Sequence, residues 1–455
     1  MIQQLTINGL RGFAAPQTIK LAVPNGAIGS GLTVLVGPNN GGKSTIVEAL
    51  GALSKNRPQS FTIGKRNHAA GDRVVLSAFD LSGNERRLAS VASGTSESRY
   101  EADVEVGKIL IVPSRRFFNP NFGKSDLERE QYIQNYDLPQ FRGSPVDHFA
   151  GRLFRIQQHK AEFDEVFKRV VDPVPAWTID QSDQGPYFIK FKVGPTYHTS
   201  DGVGDGLVSL MFVVDALYDS APEHAVAIDE PELSLHPAYQ KKLALLLADY
   251  AKDRQIIVAT HSPYFVDISA ATSGGEIARV FRDNAGACKI SPVSRAALNQ
   301  LKGFLTNVNN PHILGLDARE VFFLEDRIIL VEGQEDVVFY QKLLADLSIN
   351  LPGNFFGWGA GGADNIPIIA SVLKDLGFSK MIGILDANKK ERCDNLNAEF
   401  PEFRFFCIPA DDIRTKQAQP ARNAISGLLD EQFLVRDTYV EDVKKLMTDI
   451  GTFLT

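Results

Sequence analysis

The stretch "VGPNNGGKSTIVEAL", residues 36–50, decides the fold of the amino-terminal part of this chain. It follows a short apolar run, "LTVLV" at 32–36, and its second half has apolar residues at helical spacing. Gly37, Gly42, Lys43 and Ser44 fit the pattern G-x-x-x-x-G-K-[ST], in the strand–loop–helix setting that the pattern requires. The loop therefore predicts a nucleotide triphosphate site, with ATP and Mg²⁺ as cofactors.

Each part of the loop has a physical role in binding phosphate. Glycines allow backbone N–H groups to surround the phosphates, and the start of the following helix adds positive potential. Lys43 can reach the β- and γ-phosphates, and Ser44 can hold Mg²⁺. We expect the loop to bind nucleotide through Asn39, Asn40, Gly41, Gly42, Lys43, Ser44 and Thr45.

Two further segments supply the groups that hydrolysis needs. In "AVAIDEPELSLHP" (225–237), an apolar strand places Asp229 at its end, where the carboxylate can hold Mg²⁺ through water. Glu230 follows at once and could polarise the attacking water. The alternative, an acidic helix cap after a buried strand, leaves the paired acids unexplained. "IIVATHSP" (256–263) ends a strand near His261, which could contact the γ-phosphate or the water.

The order and spacing of these three segments resemble the ATP-binding cassette ATPases. In that family a second subunit closes the site with a glycine-rich signature loop at a helix start, which implies at least a homodimer. "TSDGVGDGLVSL" (199–210) resembles this loop, with Ser200, Gly202, Gly204 and Gly206 as candidate phosphate contacts. The opening "INGLRGF" (7–13) resembles the SMC/RecF-like branch and would bring Arg11 near the nucleotide. No glutamine of the family's Q-loop can be assigned.

A second group of acids lies in the carboxy-terminal part. "ILVEGQEDVVFYQKLL" (329–344) places Glu332 at a strand end, and "GILDANKK" (383–390) places Asp386 at another, with the glycine-rich "GWGAGGADNIP" (357–367) between them. Acids at the ends of parallel neighbouring strands meet at one edge of a sheet. Two carboxylates there can hold Mg²⁺, which is a common arrangement in nucleases.

This second pattern resembles the Toprim domain, and a cassette ATPase followed by a Toprim domain is the layout of the OLD family. That family includes Gabija-type and retron-linked phage-defence nucleases. The resemblance implies a further metal ligand in "IPADDIRTK" (408–416), at Asp411 or Asp412. The family's Asp-x-Asp motif reads Asp386-Ala387-Asn388 here, and the missing charge weakens the expected Mg²⁺ site.

The patterns together predict an α/β chain with two domains. The expected boundaries are an ATPase domain at 1–270 with a helical insertion at about 119–172, a connector at 271–325, a Toprim-like domain at 326–425 and a helical tail at 426–455. A length of 455 residues is ample for this organisation.

Composition narrows the function classes. The net charge of −7 argues against a generally basic nucleic-acid binder, so any DNA contact must be local. Cys288, Cys393 and Cys407 have no CxxC spacing, which argues against a structural zinc site or a disulfide framework. No apolar run approaches the ~20 residues that span a bilayer, so we expect a cytoplasmic protein without a membrane partner.

Two functions fit these patterns. The first is an ATP-regulated, Mg²⁺-dependent DNA endonuclease of the OLD type, acting in phage defence. The second is an ATPase sensor or scaffold whose Toprim-like domain is only structural, and which holds and releases a separate effector protein as in a PARIS-type system. Asn388 favours the second function, and the intact Glu332 favours the first.

Overall fold

Alternating strands and helices form both parts of the chain, which confirms the predicted α/β class. The computed structural model describes residues 1–104, 107–114, 116, 119, 121–135, 149–200, 205–305, 319–323, 326–417 and 424–455. The chain divides into two compact units, Met1–Pro292 and Val293–Thr455.

The first unit contains three sheets and helices around them. Its strands are β1 Ile2–Asn8, β2 Gln17–Lys20, β3 Leu32–Val36, β4 Val75–Asp80, β5 Glu85–Ser90, β6 Ser98–Asp103, β7 Ile109–Val112, β8 Trp177–Gln181, β9 Tyr187–Val193, β10 Thr196–Thr199, β11 Ala225–Asp229, β12 Gln255–Ala259, β13 Glu276–Arg282 and β14 Cys288–Pro292. Its helices are α1 Lys43–Ser54, α2 Arg129–Asn135, α3 Phe149–Gln158, α4 Lys160–Lys168, α5 Asp205–Tyr218, α6 Pro237–Tyr250 and α7 Ile268–Thr272.

The central sheet has six strands in the order β14-β13-β3-β12-β11-β7. All neighbours in it are parallel except β13 and β14. Strands β3, β11 and β12 are buried along their whole length, as continuous apolar runs of a parallel sheet require. The loop after β3, the acids after β11 and the histidine after β12 therefore leave the sheet at the same edge.

A five-stranded antiparallel sheet, β2-β1-β4-β5-β6, lies beside the central sheet. The two are joined by the fully buried side chain of Gln255 at the start of β12. Its Oε1 accepts from the Ile2 N–H at 2.7 Å, and its Nε2 donates to the carbonyls of Ile2 at 2.6 Å and Ala22 at 2.9 Å. This amide therefore makes three hydrogen bonds from β12, two to the first residue of β1 and one to the segment that follows β2.

The predicted helical insertion contains α2, α3 and α4. Buried ion pairs connect it to α5 and to the residue that follows that helix. Arg152 is 1% exposed, lies 2.9 Å from the Asp215 carboxylate and also contacts Asp219. Arg129 lies 2.6 Å from the Asp219 carboxylate. Each guanidinium is paired, which is what a buried charge requires.

The second unit is a four-stranded parallel sheet with helices. Its strands are β15 Ile328–Val331, β16 Asn354–Phe355, β17 Met381–Leu385 and β18 Arg404–Cys407, in the order β16-β15-β17-β18. Its helices are α8 Arg295–Leu305, α9 Gln334–Asp346, α10 Ile366–Asp375, α11 Lys390–Glu399 and α12 Val440–Leu454.

Two predicted boundaries differ from the structure. The expected connector from 271 is not a linker at its start, because β13 pairs in parallel with β3 and β14 completes that sheet. The expected tail at 426–455 is part of the second unit's core, where Leu428, Leu429 and Ile450 pack with Ile329 and Ile382. Both segments were hard to place because their partners are distant in sequence.

No helix in the described ranges is long and apolar enough to span a membrane.

We expect Gln255→Leu to lower the free energy of unfolding by about 3 kcal/mol, because it leaves one buried N–H and two buried carbonyls unpaired. Urea unfolding of the full chain measures this change. Gln4→Leu, at an exposed position of β1, is the matched control. Equal urea midpoints for Gln255→Leu and Gln4→Leu would show that the Gln255 amide does not join the two sheets.

Candidate nucleotide and acid sites

The phosphate loop lies between β3 and α1, as predicted, and lines a cavity of about 2050 Å³. Gly42 has a φ of 114°, in the left-handed region that glycine tolerates best, and it is the residue before α1. The lining includes all seven loop residues expected from the sequence: Asn39, Asn40, Gly41, Gly42, Lys43, Ser44 and Thr45. The seven residues therefore line one cavity, and their contact with nucleotide stays a prediction.

Lys43 turns back onto its own loop. Its Nζ donates to the carbonyls of Gly37 at 2.9 Å and Pro38 at 3.0 Å. Burial lowers the pKa of Lys43 to about 8, although the charges of Asp229, Glu230 and Glu232 act to raise it. A triphosphate would supply the negative charge that this buried ammonium lacks.

Ser44 and Asp229, the two residues expected to hold magnesium, are hydrogen-bonded to each other. The Ser44 hydroxyl donates to Oδ1 of Asp229 at 3.1 Å, so the first residue of α1 meets the last residue of β11. Burial raises the pKa of Asp229 to about 6, with the Ser44 hydrogen bond opposing this shift. The two oxygens suit a hard cation such as Mg²⁺, which prefers oxygen ligands and usually shares them with substrate phosphates.

Glu230 and His261 face each other across the mouth of the cavity. His261 Nε2 is 4.0 Å from Glu230 Oε1, which is too long for a direct hydrogen bond. Burial, and then the charge of Lys43, lowers the pKa of His261 to about 4. The imidazole is therefore neutral at pH 7 and can act as a hydrogen-bond donor or acceptor.

Sequence reasoning missed Glu232, which supports the histidine loop. Its carboxylate accepts from the Thr260 hydroxyl at 2.8 Å and from the His261 N–H at 2.5 Å. The signal was present in the motif "DEPE", because a third acid follows the first two. Glu232 fixes the backbone of the β12 end rather than reaching the cavity.

Arg11 lines the cavity, as the family resemblance implied, but its guanidinium is paired within the chain. Its Nε lies 2.6 Å from Glu48 on α1, and Lys65 lies 2.8 Å from the same carboxylate. These two cations lower the pKa of Glu48 even though burial acts to raise it. Glu48 therefore holds two basic side chains at the rim of the nucleotide cavity.

The expected signature residues separate into three groups. Gly202 and Gly204 lie outside the described residues. Ser200 lines the cavity, and its buried hydroxyl has no hydrogen-bond partner among the described residues. Gly206 is instead packed against the turn after the acids, since a Cβ there would lie 2.3 Å from the Ser234 carbonyl oxygen. This close approach explains why residue 206 is a glycine. A contact between Gly206 and phosphate stays a prediction.

A second cavity of about 390 Å³ lies at the carboxyl edge of the second unit's sheet. Strands β15 and β17 are parallel neighbours, with Val331 opposite Ile384, so the residues that follow them lie side by side. The Asp386 N–H is 3.5 Å from the Glu332 carboxylate. Both predicted acids line this cavity.

Three more acidic residues line the cavity, Glu335, Asp336 and Asp412, so it is strongly acidic. Asp336, on the first turn of α9, accepts from the Gly333 N–H at 2.8 Å, and the buried Asp412 pairs with Lys416. Burial, followed by repulsion from Glu332, raises the pKa of Asp386 to about 8. Burial also raises the pKa of Asp336 to about 6 and raises that of Glu332.

Of the two candidates for the third ligand, Asp412 lines the cavity, whereas Asp411 is exposed and does not line it. Asn388 is not part of the lining either. Its amide donates to the Asp411 carbonyl at 3.0 Å, a contact that a carboxylate could not make.

Comparison with known proteins identifies the first unit. Residues 4–161 match a family described as "AAA domain", and residues 196–267 match "AAA domain, putative AbiEii toxin, Type IV TA system". The chain is 34% identical over 157 residues to an OLD nuclease of Thermus scotoductus. The chain carries an AAA-type ATPase domain, and it is OLD-like in that it is similar to an OLD nuclease over the matched residues.

The match to that nuclease covers 33% of this OLD-like chain and 28% of the relative, so the chain spans little more than a quarter of it. The Septu protein PtuA of Bacillus thuringiensis is 22% identical over 307 residues, which cover 59% of this chain and 74% of that protein. An SMC head bound to a winged-helix domain of ScpA has a TM-score of 0.42 at 16% identity, covering 64% of this chain and 97% of that one. The SMC head of Thermotoga maritima has a TM-score of 0.37 at 18% identity, with coverage of 64% and 99%.

The acid cavity of the OLD-like chain suits a divalent cation by its donor chemistry, since all its acids offer hard oxygens. Among the described residues, no group of three His, Cys, Asp or Glu side chains is arranged to hold a metal ion. Mg²⁺ commonly uses one or two carboxylates, completed by waters and substrate phosphates. Glu332 and Asp386 are the two that would hold it here.

We expect nucleotide binding by the OLD-like ATPase to weaken about tenfold between pH 7 and pH 9, because free Lys43 loses its proton near pH 8 while the bound triphosphate holds it. Titration with a fluorescent ATP analogue at constant Mg²⁺ measures this dependence. Lys43→Ala should bind weakly at both values and with little pH dependence. A wild-type affinity that is constant to pH 9 would contradict the assignment.

For the acid cavity, we expect Asp386→Asn to raise the melting temperature by about 2–4 °C at pH 7.5 in EDTA. The folded-state pKa of Asp386 lies above its unfolded value, so its contribution to stability is lost as pH rises from about 4 toward 8. The asparagine variant should lose less stability over that range, and Mn²⁺ should stabilise only the wild type. Asp449→Asn, at an exposed site, should behave as wild type.

Proposed function

We propose that this OLD-like ATPase uses ATP to control a divalent-cation-dependent DNA endonuclease in its second unit, and that it acts in phage defence. The observation that carries the proposal is the meeting of Glu332 and Asp386 at the ends of two adjacent parallel strands. Paired carboxylates at such an edge are the usual setting for phosphodiester chemistry with a metal ion.

In the ATP reaction, the residues of the first unit have separate roles. Lys43 exchanges its loop carbonyls for the β- and γ-phosphates. Ser44 and Asp229 would hold Mg²⁺, which would neutralise phosphate charge. Glu230 orients and deprotonates the attacking water, and the neutral His261 contacts the γ-phosphate or that water. A second copy of the chain supplies its signature loop, with Ser200 as the nearest described residue, so the active form is at least a dimer.

For the nuclease reaction, Glu332 and Asp386 would hold a Mg²⁺ ion, and such an ion would polarise the phosphodiester and lower the pKa of bound water. Asp412 and Asp336 enclose the same cavity and increase its negative charge. Burial raises the pKa of Glu332, and the nearby charges of Lys389 and Arg392 oppose this rise. These basic side chains are suited to the phosphates that flank the cut.

A second function is favoured by Asn388. The Asn388 side-chain amide donates to the Asp411 carbonyl. Position 388, where the family has its second aspartate, therefore adds neither a charge nor a metal ligand to the cavity. In this alternative the second unit is structural, and ATP binding or hydrolysis releases a separate effector protein.

The role in defence rests on resemblance. The layout is similar to that of OLD-family phage-defence nucleases, and the relatives include an OLD nuclease and the Septu protein PtuA. The match at 196–267 is to a family described as a putative toxin of a toxin–antitoxin system. These names support a role in conflict between genetic elements rather than in transport.

A plasmid-nicking assay with Mg²⁺ or Mn²⁺ tests the proposal. We expect the wild type to cut, Glu332→Ala to lose cutting by at least about a hundredfold, and Lys43→Ala to lose ATP turnover. Glu441→Ala, on the exposed side of α12, is the control and should cut normally.

Asn388→Asp separates the two functions. A carboxylate at 388 cannot donate to the Asp411 carbonyl, so we expect no gain in cutting from this variant. If the wild-type protein hydrolyses ATP but never cuts the plasmid, the proposed nuclease function is wrong and the effector-release function is favoured. Restored cutting in Asn388→Asp would show that the second unit lost its activity through this residue.

A further inference from the structure

Arg116 is a buried residue beyond the end of β7 that makes several hydrogen bonds with its guanidinium. The group donates to the carbonyls of Pro113 at 2.7 Å, Asp229 at 2.8 Å and Glu230 at 2.8 Å. Its Nε also donates to the Ser209 hydroxyl on α5 at 2.8 Å. One rigid, permanently charged group therefore joins three segments of the first unit.

The second of these segments is the backbone of the two adjacent acids, Asp229 and Glu230. Glu230 has a φ of 51°, a left-handed conformation that costs a non-glycine residue about 1 kcal/mol or more. Two hydrogen bonds hold this turn. The Glu230 N–H donates to the Ala259 carbonyl at 2.7 Å, and Arg116 donates to the Glu230 carbonyl. The direction of the Glu230 carboxylate follows from this backbone conformation.

The third segment is the helix that follows the candidate signature loop. Ser209 lies on the second turn of α5, which begins at Asp205. The N–H donors of the guanidinium have fixed relative positions. If Ser209 moves and the guanidinium moves with it, the hydrogen bonds to the carbonyls of Asp229 and Glu230 must change. A shift of α5 therefore changes the hydrogen bonding of Glu230, the residue proposed to activate water.

We propose that Arg116 is a positioning residue for ATP hydrolysis, which holds Glu230 in its catalytic orientation and couples that orientation to helix α5 through Ser209. The inference rests on the proposed role of Glu230. Arg116 acts on backbone carbonyls rather than on phosphate, so it sets the rate of turnover and not the affinity for nucleotide.

Ser209→Ala removes only the link to α5 and is the mildest test. The chain offers a matched control in Ser220, just beyond the same helix, whose buried hydroxyl accepts from Arg254 at 2.6 Å, as that of Ser209 accepts from Arg116. We expect Ser209→Ala to lower kcat about three- to tenfold with KM and nucleotide Kd within about twofold, and Ser220→Ala to retain wild-type kcat.

Arg116→Lys keeps the charge but loses the fork, and we expect its kcat to fall about tenfold or more at unchanged nucleotide Kd. An equal kcat for Ser209→Ala and Ser220→Ala would overturn the proposed coupling, even where Arg116→Lys fails to fold. A raised Kd with wild-type kcat in Arg116→Lys would overturn the positioning role in favour of phosphate binding. Glu230→Gln is run in parallel, because wild-type turnover in that variant contradicts the role of Glu230 itself.

Discussion

The parallel pairing of three buried strands determines where each polar group of the ATPase site lies. Leu35 of β3, Ala259 of β12 and Asp229 of β11 are in register across the sheet. The phosphate loop, His261 and the acids follow these residues directly and so meet at one edge. The hydrogen bond from Ser44 to Asp229 is the clearest sign of this convergence. The second unit repeats the principle on a smaller sheet, where β15 and β17 bring Glu332 beside Asp386.

Both cavities hold charges that the protein alone does not balance well. In the first, burial lowers the pKa of Lys43 and raises that of Asp229, so an ammonium and a carboxylate are both less stable than in water. A triphosphate with its cation compensates both at once. In the second, burial and mutual repulsion raise the pKa of Asp386 and Asp336, and Lys416 is the basic residue of the lining. This imbalance favours the entry of a cation rather than an anion.

Local spacing was sufficient to place the phosphate loop, Asp229, Glu230, Glu332 and Asp386, because each lies at the end of an apolar strand or within two residues of it. Arg116 and Gln255 act through partners that lie far away in the sequence, so no local pattern could have selected them. Asp336 had a usable signal, since it lies four residues after Glu332 in the acid-rich "VEGQED". The connector expected from residue 271 was wrong at its start because the pairing of β13 with β3 depends on the tertiary fold.

The position of Lys43 gives the most direct test of the account. In the structure its Nζ donates to the carbonyls of Gly37 and Pro38. A crystal structure of the chain with Mg²⁺ and a non-hydrolysable ATP analogue should show that ammonium on the β- and γ-phosphates, with the metal beside Ser44 and Asp229. An analogue bound elsewhere, or a Lys43 still on its loop carbonyls with nucleotide present, would contradict the assignment of this cavity as the ATPase site.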